Sequence, residues 1–396
     1  MYKFSDMVTK MRSSEIRKLM KMAANPDVIS FSGGMPNPDL FPVELMEKIY
    51  SEIPLQVKQA GFQYCPTAGY PPLIQSLKNY LSEKGLPLEG NDLIITTGAQ
   101  QSINLVTRVF VDPGDRVISE FPCFIGAAAT FNSYQADMTT IPIDNEGPDP
   151  VAFEQALSMQ PIAKLVYLTP FFHNPAGIIY SRERKQTVIE ILCQHKMVLL
   201  EDDPYGELYF DETDKELTVP IKALAGEQFP ICYAGSFSKI IGPGLRLGWL
   251  LAPSEIIEKC ELAKQSMDAC SSTYSQVLAH HFMQSGAMPG YLEFLRAEYK
   301  ERCQIMLDAM TKYMPDTCTW TIPRGGFYIW VTLQDHMDAT EILTKSLQAG
   351  AVFVIGKAFD PENRRNNCLR LAFSHTPKEK IATGIRIVAD AIKNLS

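Results

Sequence analysis

No stretch of this 396-residue chain approaches the roughly 20 apolar residues of a membrane-spanning helix. The N-terminus through Asn25 is polar and charged, with no apolar run of signal-peptide length, so a cytoplasmic location is expected. There is no basic surplus. A net charge of -8 argues against a nucleic-acid or anionic-membrane partner. No Cys-x-x-Cys pair occurs, and the nine cysteines are odd in number and scattered, so neither a disulfide framework nor a zinc site is indicated and no metal is expected. Internal repeats and low-complexity tracts are also absent. What remains is an ordinary globular composition, 46% hydrophobic and 21% charged, in a chain long enough for two or three domains and a large buried site.

The middle of the chain alternates short apolar runs with helical stretches. Leu93–Thr97, Arg116–Ser119, Ala163–Leu168, Met197–Leu200, Ile231–Ala234 and Arg246–Leu251 read as strands closed by turn residues. A helical pattern follows Gly98 as far as Phe110, and another runs from Arg182 to His195. This is the pattern of an α/β fold whose mostly parallel sheet carries helices on both faces. Ligands in such sheets lie beyond the carboxyl ends of the strands, where Gly98 to Gln100, Phe121 to Phe124, Asn174, Asp202, Tyr205 and Lys239 cluster. After about residue 255 long amphipathic helices, among them Leu292 to Met314, lead to the shorter strands Phe327–Val331 and Leu369–Phe373. These suit a smaller α+β domain.

Lys239 stands in Gly235-Ser236-Phe237-Ser238-Lys239, with Gly242-Pro243-Gly244 and then Arg246 following. An amine that anchors an aldehyde cofactor must be held in place, and a phosphorylated cofactor needs hydroxyls and a fixed cation nearby. Ser236, Ser238 and Arg246 supply those groups.

Six ordered motifs extend this reading: Ser32-Gly33-Gly34-Met35-Pro36-Asn37-Pro38, Gln63-Tyr64-Cys65-Pro66-Thr67-Ala68-Gly69, Asn174-Pro175-Ala176-Gly177, Glu201-Asp202-Asp203-Pro204-Tyr205, Ser236-Phe237-Ser238-Lys239, and Arg370. Together they resemble the fold-type I pyridoxal 5'-phosphate (PLP) aminotransferases of class I/II, most of all the 2-aminoadipate, kynurenine and aromatic aminotransferase group. The resemblance runs from about Ile16 to Phe373.

It implies a seven-stranded central sheet and a PLP-dependent transfer of an amino group between an L-amino acid and a 2-oxo acid such as 2-oxoglutarate. Lys239, Asp202 and Tyr205 are then the catalytic residues. Asp202 keeps the ring nitrogen protonated, and Tyr205 and Asn174 hydrogen-bond the ring's phenolic oxygen. The phosphate falls to the Gly98-Ala99-Gln100 turn at a helix start, to Ser236, Ser238 and Arg246, and to Tyr64 of a second subunit, so that a homodimer shares its active sites. Phe124 takes the position of the aromatic ring that lies against the cofactor, and Lys239 has its pKa lowered by neighbouring positive charge. Arg370 grips the substrate α-carboxylate, with Asn174 and Gly34 beside it, and Arg17 matches a side-chain-contacting arginine. Relatives often carry Ser where Ala99 stands, so only the backbone contributes there, and Gln100 is expected to compensate.

The same anchor serves PLP-dependent β-lyases and cyclopropane-forming synthases, which differ in the side-chain pocket. A transaminase-like transcriptional regulator is a non-enzyme alternative, disfavoured because the match begins near residue 16. A dinucleotide reading of Gly242 to Gly248 fails on spacing. The expected division is an N-terminal segment, 1–46, packing with the small domain, a PLP-binding domain, 47–280, and a small C-terminal domain, 281–396.

Overall fold

A computed structural model describes residues 2–10 and 27–395 of the chain. Its centre is an eight-stranded sheet built from β2 (Asn91–Thr96), β3 (Arg116–Phe121), β4 (Asp137–Asp144), β5 (Gly147–Pro148), β6 (Leu165–Leu168), β7 (Leu199–Asp203), β8 (Ile231–Ser236) and β9 (Gly248–Pro253). The order across the sheet is β2-β9-β8-β7-β6-β3-β4-β5. Six strands run one way, while β9 and the two-residue β5 oppose their neighbours. The expected seven strands therefore become eight. Both β4 and β5 were missing from the apolar runs, because β4 reads DMTTIPID, is only partly buried and contains Pro142.

The strands nearest the centre are buried on both faces, which is why they read as continuous apolar runs. On one face Ile94, Val117, Leu165, Leu200 and Leu250 pack against helices Ala99–Phe110, Ile125–Ser133 and Ser254–Gln265. On the other, Ile118, Val166 and Leu199 meet helices Pro150–Ser158 and Arg182–His195, and Leu93, Ile95 and Trp249 meet Pro71–Glu83 and Thr273–Gln284. Each large apolar side chain so enclosed contributes about 1.5–3 kcal/mol. Helix Arg182–His195 has the bounds its pattern predicts. Ser181 caps its start, accepting from Arg184 N–H at 3.1 Å, and Lys196 ends it in the left-handed conformation.

The second layer is the antiparallel sheet β10 (Thr319–Trp320), β11 (Tyr328–Thr332), β14 (Cys368–Ala372) and β13 (Val354–Ile355), in that order, with helices Met288–Tyr313, Ala339–Gln348 and Lys378–Lys393. Near the N-terminus β1 (Ile29–Ser30) pairs with β12 (Ala351–Val352), and Phe31 enters the core formed by these helices. A border at residue 280 would cut the single helix Thr273–Gln284; the chain turns at 285–287. Among the described residues no helix is long and apolar enough to cross a membrane.

Candidate active site

Five of the parallel strands deliver side chains or loops to one end of the central sheet. After β2, Gly98 adopts φ 76° and starts helix Ala99–Phe110, which has no side-chain cap; Gly98 N–H donates to Thr96 O at 2.9 Å and Gln101 N–H to Gly98 O at 3.0 Å, which leaves the Ala99 and Gln100 N–H groups available. A Cβ on Gly98 would come within 3.0 Å of Arg246 Nη2, so the guanidinium lies directly against this helix start. Arg246 belongs to the turn before β9 rather than to the strand, and holds φ 51°. Gly248 permits that approach, since a Cβ there would meet Ala99 N at 2.8 Å. Ser236 Oγ accepts from Ser238 N–H at 3.1 Å. Backbone N–H groups, two hydroxyls and a guanidinium around a helix N-terminus form a seat for a dianion such as a phosphate.

Asp202 lies within β7, 2% exposed. Its Oδ2 accepts a 2.7 Å hydrogen bond from Tyr167 OH in β6, whereas Oδ1 is buried without a partner. Burial pushes this carboxyl up to about 7, with the Tyr167 bond opposing and the charges of Asp203 and Glu120 adding. An orphaned buried carboxylate oxygen calls for a donor, and the protonated ring nitrogen of PLP is such a group.

Arg370, in β14, is 1% exposed. Its Nη1 donates to Asn174 Oδ1 at 2.9 Å and its Nη2 to Ser32 O at 2.6 Å, while Nε has no partner. The guanidinium stacks on Tyr328 at 4.5 Å and Phe359 at 5.0 Å. It forms no ion pair with an acidic side chain among the described residues. A buried guanidinium in this state is completed by a carboxylate brought from outside. Because the Asn174 carbonyl faces Arg370, its amide NH2 is left to donate towards a ligand.

Lys239 lies between these groups. Its Nζ donates to Gly34 O at 2.9 Å and sits 5.6 Å from the Tyr205 ring and 5.7 Å from that of Phe327. Burial lowers its pKa to about 8, with Arg370 and then Arg246 adding to the effect. Neighbouring positive charge, the cause expected from sequence, is thus second to desolvation. Tyr205 OH is 2.8 Å from Tyr328 OH, and burial, followed by Tyr328, raises the Tyr205 phenol well above its usual range, so it stays protonated.

Other expected residues fall differently. The Gln100 side chain turns away: its Nε2 donates to Gly126 O at 2.9 Å and Thr130 Oγ1 at 2.7 Å, leaving only its backbone N–H for the anion seat. Phe124 precedes helix Ile125–Ser133, and Gly126 makes room for its ring, which a Cβ would approach to 2.6 Å. Tyr64 is 82% exposed, outside the core of the chain. Arg17 lies outside the described residues. Sequence reasoning missed Tyr167, Tyr328 and the carbonyl of Ser32, and it named Gly34 for the substrate without the bond its carbonyl accepts from Lys239. Only the two carbonyls had a signal, the Ser-Gly-Gly opening.

Residues 27–388 match the family described as Aminotransferase class I and II. The chain belongs to that family. It is 37% identical over 395 residues to aromatic-amino-acid aminotransferase 1 of Thermococcus litoralis, covering 98% of this chain and 94% of the relative. It is 33% identical over 387 residues to the 2-aminoadipate transaminase of Thermus thermophilus, at 98% and 95% coverage. Among solved structures, a Pyrococcus horikoshii kynurenine aminotransferase in complex with PMP superposes with a TM-score of 0.94 at 37% identity, covering 99% of this chain and 97% of that one. The fold is PLP fold type I, and the protein is a PLP-dependent aminotransferase that exchanges an amino group between an amino acid and a 2-oxo acid.

Proposed function

We propose that this aminotransferase takes L-amino acids of the 2-aminoadipate, aromatic or branched-chain type, passes the amino group to a 2-oxo acid such as 2-oxoglutarate, and works as a cytoplasmic homodimer with shared sites. The observation that carries the substrate reading is Arg370, a buried guanidinium with a free Nε, beside Asn174 and facing Lys239. It seats the α-carboxylate common to all amino acids. The names of the relatives support the aminoadipate and aromatic side chains.

The residues that would hold the cofactor are Asp202 Oδ1 at the ring nitrogen, Tyr205 and Asn174 at the phenolic oxygen, and Phe124 at the ring face. The amides of Ala99 and Gln100, with Ser236, Ser238 and Arg246, would hold the phosphate together with Tyr64 of the partner subunit, while Gly98, whose own N–H donates to Thr96 O at 2.9 Å, shapes the turn. PLP, when bound, supplies an electron sink for the charge left as the substrate Cα proton departs. Lys239 Nζ is the base placed to take that proton, and with a pKa of about 8 its neutral form is accessible at physiological pH. Gly34 O orients the amine. The exposed Tyr64 supports the shared site, since a loop stiffened by Pro66 and closed by the helix that starts at Pro71 holds the phenol clear of its own subunit. Odd, scattered cysteines support a reducing compartment. We place the division between the two larger units at the turn 285–287, with Ile29–Phe31 joined to the C-terminal one and helices Asp6–Lys10 and Val43–Glu52 packed on the other.

A screen of L-amino acids against 2-oxoglutarate, with glutamate and the matching 2-oxo acid both quantified, tests the reading. Stoichiometric pairs for acidic, aromatic or branched donors are expected. Release of ammonia with cleavage of the donor's side chain would assign a β-lyase instead.

A further inference from the structure

The loops that carry the site also enclose Tyr328, a residue of β11 that belongs to neither the anion seat nor the amine. Its hydroxyl lies 2.8 Å from Tyr205 OH and 3.5 Å from Gly34 O, and its ring lies under the Arg370 guanidinium at 4.5 Å. Neighbouring glycines leave no slack around it. A Cβ on Gly34 would overlap the Tyr328 hydroxyl, and one on Gly177 would overlap its carbonyl oxygen. The two phenol rings meet edge to face, with centroids 5.7 Å apart and planes at 85°.

Counting protons shows what this arrangement does. Each phenol has one proton to give and lone pairs to accept with. With nothing beyond Tyr205 to accept, Tyr205 donates to Tyr328, and Tyr328 gives its own proton to Gly34 O over a long, weak bond. That bond, at 3.5 Å, is too long to hold Tyr328 firmly, so little is lost if Tyr328 turns away from Gly34 O. An acceptor placed against Tyr205 reverses the pair: Tyr205 donates outward, Tyr328 donates to Tyr205, and each bond polarises the next. The charged and titratable groups facing the pair are Arg370 from β14, Asp202 from β7 and Lys239 after β8. Among these Arg370 favours electron density on the phenols.

We propose that Tyr328 is a positioning residue with two separable functions: its hydroxyl is the second member of a two-phenol relay that strengthens the hydrogen bond Tyr205 gives to the cofactor's phenolic oxygen, and its ring supports Arg370 in the carboxylate seat. The proposal rests on the assignment of Tyr205 to that oxygen. A stronger donor there draws charge from the oxygen and weakens its hold on the proton it shares with the neighbouring lysine nitrogen. That proton therefore leaves at lower pH, and loss of the Tyr328 hydroxyl raises the midpoint.

The test is a spectrophotometric pH titration of the cofactor's visible band in the PLP-loaded wild type, Tyr205→Phe, Tyr328→Phe and the double variant, with KM measured for Tyr328→Phe and Tyr328→Leu. Tyr328→Phe is expected to raise the midpoint by about 0.3–1 pH unit. Tyr205→Phe should raise it further, and the double variant no further than Tyr205→Phe alone. KM should stay within about twofold in Tyr328→Phe, which keeps the ring, and rise about fivefold or more for every amino acid in Tyr328→Leu, which loses the stacking. If Tyr205→Phe moves the midpoint while Tyr328→Phe does not, or if the two shifts add in full, the relay is overturned. An unmoved midpoint in Tyr205→Phe overturns the underlying assignment and the relay with it. Unchanged KM in Tyr328→Leu removes the support of Arg370.

Discussion

Tyr167 OH donates to Asp202 Oδ2 at 2.7 Å and leaves Oδ1 of the same carboxylate buried and unpaired. The carboxylate is thereby fixed in orientation on one side and open to a donor on the other. Without that donor the charged form is penalised, which explains why burial carries this group to about 7.

The first prediction follows from that penalty. A carboxyl whose folded pKa is raised from 3.8 to about 7 carries no penalty below the lower value, where it is neutral in both states, and the full penalty above the upper one. In cofactor-free protein Asp202→Asn should therefore melt higher than wild type at pH 8, by on the order of 2 kcal/mol, and the gain should vanish near pH 4. With PLP bound the order should reverse. The loaded variant should also lose on the order of 3 kcal/mol of transition-state stabilisation in kcat/KM. An apo variant no more stable than wild type at pH 8 would mean that Oδ1 is not penalised.

Lys239 provides the second. The purified, PLP-loaded protein should be yellow, and borohydride reduction should fix the cofactor to the peptide carrying Lys239 and to no other. The rate at which apo protein takes up PLP should rise through about pH 8, where the amine loses its proton, and level off above. A rate still climbing at pH 10 would show an ordinary lysine.

Removing the guanidinium is the third. Arg370→Ala should raise KM steeply for every amino acid, by tenfold or more, roughly 1.4 kcal/mol, and leave Asn174 Oδ1 without its donor. Arg370→Lys should recover little, because a single ammonium replaces neither the two-pronged donor nor its stacking. Steady-state kinetics with donors of different side chains decide it: a loss confined to one side-chain class would place Arg370 in the specificity pocket instead.

Subunit mixing tests Tyr64. At limiting PLP, Tyr64→Phe and Lys239→Ala homodimers should both be impaired. If Tyr64 acts across the interface, a heterodimer of the two contains one site with an intact Lys239 and an intact Tyr64, and activity returns on mixing. Absence of any recovery in verified heterodimers would place Tyr64 in its own subunit's site.

The parts of the site legible in sequence are those carried on short contiguous stretches. Ser236, Ser238 and Lys239 are neighbours in the chain, and Asp202 and Tyr205 share one turn, so local spacing was enough. Tyr167 and Asp202 are 35 residues apart and Tyr205 and Tyr328 are 123 apart; their pairing depends on strand order and on how β11 folds over the central sheet, and both tyrosines sit in runs that read as core. Gln100 was misjudged for a related reason. Its position at a helix start was correct, but its side chain finds acceptors on the next helix, at Gly126 and Thr130, which spacing along one helix does not reveal. The outer strand β4 escaped because a half-exposed strand with proline lacks the apolar continuity of its neighbours.

Between Ile29 and Gly34 one short extended stretch touches both the C-terminal strands and two side chains of the site. Ile29 and Ser30 pair with Ala351 and Val352, Phe31 N–H donates to Val352 O, and Phe31 O accepts from Ala372 N–H. One residue on, Ser32 O holds Arg370, and two further on, Gly34 O holds Lys239. Arg370 and Lys239 thus both bond to the same six residues, themselves stitched to the C-terminal sheet. A substitution that displaces this stretch is therefore expected to disturb Arg370 and Lys239 together, through the carbonyls of Ser32 and Gly34.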